Sequence, residues 1–462
     1  MKKLFSFALL APIVAPFITA DAFAAEPVPT FQIPVGSVID IQELGLRWES
    51  FDLSPEIRAT LSSGSETVRF SAFPVAPGVR QAIRFEPFAL YAPGAKMWEI
   101  ADGDRREIPR DGAARFVGSS EDGETRVGLS LRGPELYALV VSPAGTYRLA
   151  GPDARGAFAV EDATPPGGLR FEGCGSEHLP VPASVLDAMD SLATGSFGGG
   201  TASLGGGASR EAVIAVDTDT ELLFEKFSDS SPAALAWISD LFVALNTMYE
   251  RDLDLTLTQG DTTIRTGSDP FNNTDTPAST AQLSEFGSWW SANQGAVSRV
   301  FAMLISGKSS SPNSGSGIAW IDGYCETQST GGGYSINQVF TGNFPADLDA
   351  RLVGHELGHN AGSPHTHCYN PPVDNCYRAE AGCYSGAVSC PGGSGTVMSY
   401  CNFSPPNGAG CGQNSLDFHP TVQGLIGTFI NNHSPGCITS FNGLFADGFE
   451  SGNTSSWTTT VP

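Results

Sequence analysis

The segment from His355 to His365 reads His-Glu-Leu-Gly-His-Asn-Ala-Gly-Ser-Pro-His, and it leaves the backbone few choices. Pro345 suits a first helical position, and apolar residues at 348, 352, 353 and 357 predict a helix over 345–360. On that helix His355 and His359 lie four residues apart, so both rings project from one face, a turn apart. Gly362 permits a left-handed turn, which can bring His365 back toward the same point. Three converging imidazoles suit a tetrahedral Zn2+ with its fourth position open to water, the arrangement of a catalytic rather than a closed structural site. Glu356 is rotated by about 100° from His355. It sits beside the ion and is placed to take a proton from a water there. His-Glu-x-x-His alone also occurs on ordinary amphipathic helices. With Gly362 and His365 in register, and four of the seven histidines between 355 and 367, the metal reading is preferred.

The chain is long enough for two or three domains at 462 residues, and its composition changes along its length. Residues 26–160 carry short alternating runs such as Thr67–Phe70 and Thr125–Leu131, separated by Gly, Pro and Asp turns. This predicts a β-rich region without helices of useful length. A brief helix is expected at 185–192. The Gly- and Ser-rich stretch 195–209 reads as a flexible, protease-accessible linker. Beyond it, strand-like runs at 212–216, 254–258, 300–305 and 317–321 alternate with helical spacing over 231–250 and 279–292. A final helix is expected from 420 to about 432. The second half is therefore α/β.

The first residues fix an expected compartment. Met1-Lys2-Lys3 is followed by an apolar run over residues 4–20 and by the small-residue site Ala22–Ala25, the form of a secretory signal cut near residue 24. No later run is apolar for the roughly 18 residues that a membrane helix needs. The formal charge of −24 argues against nucleic-acid binding, which needs basic surface. Export permits disulfides. Of nine cysteines, eight lie between 325 and 437, while Cys174 stands alone in the first half.

With Thr396-Val397-Met398-Ser399-Tyr400 added as a candidate Met-turn, the extended histidine motif resembles the metzincin zinc peptidases. The likeness is strongest to the reprolysin (adamalysin) family, through the opening strand Glu211–Asp217, Gly317-Ile318-Ala319 leading to Cys325, and the motif itself. It spans roughly residues 210–440. The resemblance implies an α/β zincin-like fold with a mixed sheet, an active-site helix and a C-terminal helix. It also implies one catalytic Zn2+ on His355, His359 and His365, Glu356 as general base, and Met398 beneath the histidines. Gly317, Ile318, Ala319 and Trp320 would be the edge strand that pairs with substrate. Three positions depart from the reprolysin pattern. Thr366 replaces the Asp that usually follows the third histidine. Tyr400 matches astacins and serralysins, in which that Tyr lies at the metal and stabilises the transition state. Arg299 and Ser440 stand where partners of Glu211 in a structural Ca2+ site are expected, so calcium is doubtful.

The resemblance pairs Cys325 with Cys437 and leaves 15 connectivities for the other six cysteines. It also gives Cys174 a role. Reprolysin propeptides place such a cysteine in the open zinc position, and a thiolate is a good ligand for zinc. The expected organisation is a signal peptide at 1–24, a β-rich propeptide at 25–190, a linker at 191–209, the catalytic domain at 210–440 and a tail at 441–462. The expected product is a monomeric, secreted, latent zinc metalloendopeptidase that cuts protein or peptide substrates, without nucleic-acid partners or a membrane anchor. A metal binder that cleaves nothing is disfavoured by the intact Glu356. A zinc hydrolase of small molecules is disfavoured by the propeptide arrangement. His367 is expected at the surface or as a satisfied loop residue, and His178, His419 and His433 in structural roles.

Overall fold

The computed structural model describes residues 28–41, 46–163, 168–193, 208–390 and 393–440. The expected signal peptide, most of the linker and the tail lie outside these residues. The first half is β-rich, as its alternating pattern predicts. Its strands are β1 Thr30–Gln32, β2 Ser37–Ile41, β3 Leu46–Phe51, β4 Val68–Ala76, β5 Val79–Pro87, β6 Met97–Ala101, β7 Asp104–Ile108 and β8 Ala114–Ser119. They continue with β9 Arg126–Arg132, β10 Glu135–Ser142, β11 Gly145–Gly151, β12 Phe158–Asp162 and β13 Arg170–Cys174. All but β6, β7 and β13 form one sheet in the order β1-β4-β5-β8-β9-β10-β11-β12-β3-β2, closed over a core that includes Phe70, Phe73, Phe85, Phe116 and Phe158. One helix in this half escaped the sequence reading: α1, Pro55–Ser63. Ser54 caps its first turn, Ile57 and Leu61 are buried, and Gly64 ends it in a left-handed conformation. At nine residues it offers only two core positions, too few to show a period.

The second half alternates α2 Ala183–Ala193, β14 Arg210–Thr218, α3 Thr220–Phe227, α4 Ser231–Leu253, β15 Leu255–Thr266 and α5 Thr280–Asn293. Then come β16 Phe301–Ser306, β17 Ser314–Ala319, β18 Tyr334–Gln338, α6 Ala346–Asn360, α7 Pro420–His433 and β19 Thr439–Ser440. Its mixed sheet runs β13-β17-β18-β16-β14-β15-β6-β7. β17 runs antiparallel to β18, β7 to β6 and β19 to β14, while β14, β15, β16 and β18 are parallel.

Strands from before the Gly/Ser stretch thus occupy both ends of the second sheet. β6 pairs in parallel with β15 and carries β7 outside it, and β13 pairs in parallel with β17. Helix α4 fills the space between the two sheets, and its buried residues lie all round it. Gly128 on β9 lets α4 come close, since a Cβ there would meet Val243 at 2.6 Å. Arg132 on β9 reaches Asp240 on α4 at 3.1 Å, and Arg148 on β11 holds Asp347 of α6 through two bonds of 2.8 and 2.5 Å.

Four disulfides pair the eight later cysteines: Cys325–Cys437, Cys368–Cys383, Cys376–Cys401 and Cys390–Cys411. The first is the pairing implied by the resemblance. Cys174 is free and buried.

Candidate metal centre

Helix α6 is almost wholly buried, and small residues let its neighbours close in. A Cβ at Gly354 would meet Met248 Cε at 2.2 Å, and one at Gly358 would meet Met398 Sδ at 2.5 Å. Met398 therefore lies against the helix between the two histidine turns. Past the helix, Gly362 takes φ of 101°, a region that strains any residue with a Cβ, and His365 returns.

The three Nε2 atoms converge, with His359 Nε2 3.1 Å from that of His355 and 3.2 Å from that of His365. Each opposite nitrogen is held: His355 Nδ1 at 2.7 Å from Val397 O, His359 Nδ1 at 2.6 Å from Ser363 O, and His365 Nδ1 at 2.7 Å from Glu380 Oε2. Those acceptors put the ring protons on Nδ1 and leave three buried lone pairs aimed at one another. A cation resolves that conflict. Nitrogen ligands of tetrahedral zinc, bound at about 2.0–2.1 Å, lie roughly 3.3 Å apart, so the donor set fits zinc. Burial lowers the pKa of His355 to about 3 and that of His359 well below the usual value, so both are neutral, as ligands must be.

Cys174 Sγ joins the same cluster, with its atom and the three histidine nitrogens all within 4.8 Å of one another. Its thiol donates to Glu356 Oε2 at 3.3 Å. Burial pushes both groups up, the Cys174 thiol and the Glu356 carboxyl. Glu356 packs so closely on β17 that a Cβ at Gly317 would lie 2.3 Å from Oε1. Tyr400 is buried beside His355 and His365, its ring centroid 4.3 Å from that of His365. Its hydroxyl accepts from Cys174 N at 2.9 Å and donates to Cys174 O at 3.1 Å. Ile318 and Ala319 lie in β17, while Trp320 falls just past the strand's end. On its outer side β17 is paired with β13, from Arg170↔Ser314 to Cys174↔Gly317.

Thr366, standing where reprolysins carry Asp, ties this loop to the Met-turn by donating from its backbone to Met398 O at 3.1 Å. Arg299 donates to the Tyr334 hydroxyl at 2.9 Å, and Glu211 accepts from Thr258 at 2.7 Å. His178 is exposed, His419 caps α7, and His433 stacks on Tyr324 at 4.6 Å.

Of the two placements expected for His367, the surface or a satisfied loop position, the structure has the second. It is fully buried, with Nε2 2.7 Å from Glu380 Oε2 and Nδ1 unpartnered. Glu380 thus serves both His365 and His367. Burial would raise its pKa, but its pairing and hydrogen bonds with the two histidines hold it well below the usual carboxylate range. Sequence reasoning missed this residue because nothing local distinguishes one carboxylate in a Cys-rich loop. The Cys368–Cys383 bridge that spans it is a pairing the sequence left open among 15 connectivities. Glu380→Gln is expected to weaken zinc retention by about 10- to 100-fold, the usual effect of losing a partner behind a ligand. Competition with a chromogenic chelator measures it. Unchanged affinity would leave Glu380 without a role at the ion.

Residues 208–413 match the family profile Reprolysin_5, metallo-peptidase family M12. Among solved structures, metalloproteinase-II from Bacteroides fragilis aligns at a TM-score of 0.35 and 9% identity, covering 72% of this chain and 90% of that one. That likeness is too loose to build on. No curated protein matches the chain. The profile match, over a segment that contains the convergent histidines, supports a zinc metalloprotease whose residues 208–413 are similar to the reprolysin-like metallopeptidases of family M12.

Proposed function

We propose that the chain is exported as a latent metalloendopeptidase, with His355, His359 and His365 holding the catalytic zinc and residues up to about 190 acting as its propeptide. The observation that carries this reading is the position of Cys174. Its sulfur lies among the three histidine nitrogens, and the strand that bears it occupies the outer side of β17. One short segment therefore fills both the ion's remaining position and the sheet edge that an extended peptide would use. Four disulfides support an oxidising destination. Among the described residues no helix is long and apolar enough to cross a membrane. A signal peptide at 1–24 and a cut within 191–209 complete the proposal.

Zinc would act as a Lewis acid on the scissile carbonyl and would lower the pKa of the attacking water. Glu356 accepts that water's proton and hands it to the leaving amine. Its buried position raises its basicity, and its Oε1 has no partner in this state. The backbone of β17 aligns the peptide by strand pairing once β13 leaves. The Tyr400 hydroxyl, relieved of Cys174, donates to the developing oxyanion.

Casein hydrolysis before and after limited proteolysis, with and without a chelator, tests the reading. Activity that appears on cutting and vanishes with the chelator is expected. Equal activity in the uncut protein would remove latency from the proposal. N-terminal sequencing of the exported protein locates both cuts. Tyr400→Phe is expected to lower kcat by on the order of 10²-fold at most, with zinc content unchanged. Wild-type turnover in that variant would make the hydroxyl irrelevant.

A further inference from the structure

Beside His355 lies a pocket of about 50 Å3, walled by Phe340, Leu348, Leu352 and Val397. Leu169 and Phe171, just before Cys174, belong to the same lining, and the Phe171 ring sits 5.8 Å from that of His355. On the proposed function this segment withdraws at activation, which opens the pocket next to the reacting atoms. An apolar cleft would ordinarily take an apolar side chain.

The lining, however, contains Arg351. Its Nε donates to Asn414 O at 2.6 Å, while its Nη1 is buried without a hydrogen-bond partner. The acid one helical turn earlier, Asp347, is engaged by both of its oxygens with Arg148. A buried guanidinium with a free donor is unfavourable until an acceptor reaches it. Asn402 and Asn414, also in the lining, each have a buried Oδ1 without a partner. The free positions are thus one cationic donor and two neutral acceptors.

We propose that Arg351 makes this pocket selective for a substrate side chain that crosses the apolar walls and ends in an acceptor oxygen, glutamate or glutamine. The assignment rests on the proteolytic reading of the same site and adds the kind of residue that flanks the cut. Selectivity follows because an apolar side chain of equal length would leave the Arg351 donor unpaired, whereas an acceptor satisfies it. A carboxylate adds charge to that bond. A carboxamide can also donate to the asparagine oxygens.

Cleavage profiling of the activated, zinc-loaded enzyme on a peptide library tests this, with kcat/KM measured for peptides that carry Glu, Gln, Leu or Ala at each position flanking the cut. At one such position Glu or Gln is expected to exceed Leu by about tenfold or more. Glu above Gln assigns the recognition to the guanidinium alone, and Gln above Glu brings in the asparagine oxygens. Arg351→Leu should reverse the preference at that position only, and Arg351→Lys should retain part of it. If Arg351→Leu fails to fold, the wild-type profile still decides. Leu or Phe favoured at every position by the wild type overturns the proposal, as expected if Asp347 neutralises Arg351 once Arg148 departs. An unchanged profile in a folded Arg351→Leu also overturns it. An enzyme that cuts no library member while holding zinc sinks the proteolytic reading itself, and this assignment with it.

Discussion

Glu356→Gln is expected to retain a full equivalent of zinc and to lose activity by on the order of 10²- to 10⁴-fold, the range for removing a general base. The amide has the shape of the carboxylate, so the tight fit of Glu356 beneath Gly317 survives. The three histidines and their Nδ1 acceptors are untouched, which separates this variant from any that empties the site. Metal content by mass spectrometry and casein hydrolysis on the same preparation make the comparison. More than a few per cent of residual activity at full zinc occupancy would take the proton-transfer role away from Glu356.

The second large effect concerns the uncut protein. On the proposed latency, Cys174→Ala is expected to yield a precursor that processes itself far sooner than the wild type. The substitution removes the sulfur from among the histidine nitrogens and its hydrogen bond to Glu356, which on the proposed mechanism frees the general base and one position at the ion together. It leaves the backbone of β13 on β17, and Phe171 against His355, Tyr400 and Phe403. Time courses of fragment appearance and of peptide hydrolysis, started on purified precursor, separate the two kinds of block. A Cys174→Ala precursor as silent as the wild type would assign latency to steric cover by the strand.

Much of the centre was legible in the sequence because its geometry is local. The spacing of His355, His359 and His365, with a glycine where the chain must turn, needs only helix geometry to be read. The same holds for α4, whose apolar period marks it as a core helix. Contacts made across the fold were not legible. Nothing near Glu380 tells that it lies against His365 and His367, and a short alternating run such as Met97–Ala101 does not say which sheet it will extend. The apolar face read on α4 was real, but residues outside that stripe, Val243 and Thr247 among them, are buried too. The burying surface is supplied by a strand more than a hundred residues earlier in the chain, so no local window contains it.

That shared architecture separates scission from release. A cut between residues 193 and 208 removes one covalent link, yet β6 remains paired to β15, β13 to β17, and Arg148 to Asp347. Two open strand edges and the outer face of α4 would meet water only when the severed piece departs. The cut molecule is therefore a two-chain complex whose lifetime is set by a dissociation rate. On the proposed function, nicking alone would leave the site covered, and dilution of the nicked molecule would be what uncovers it.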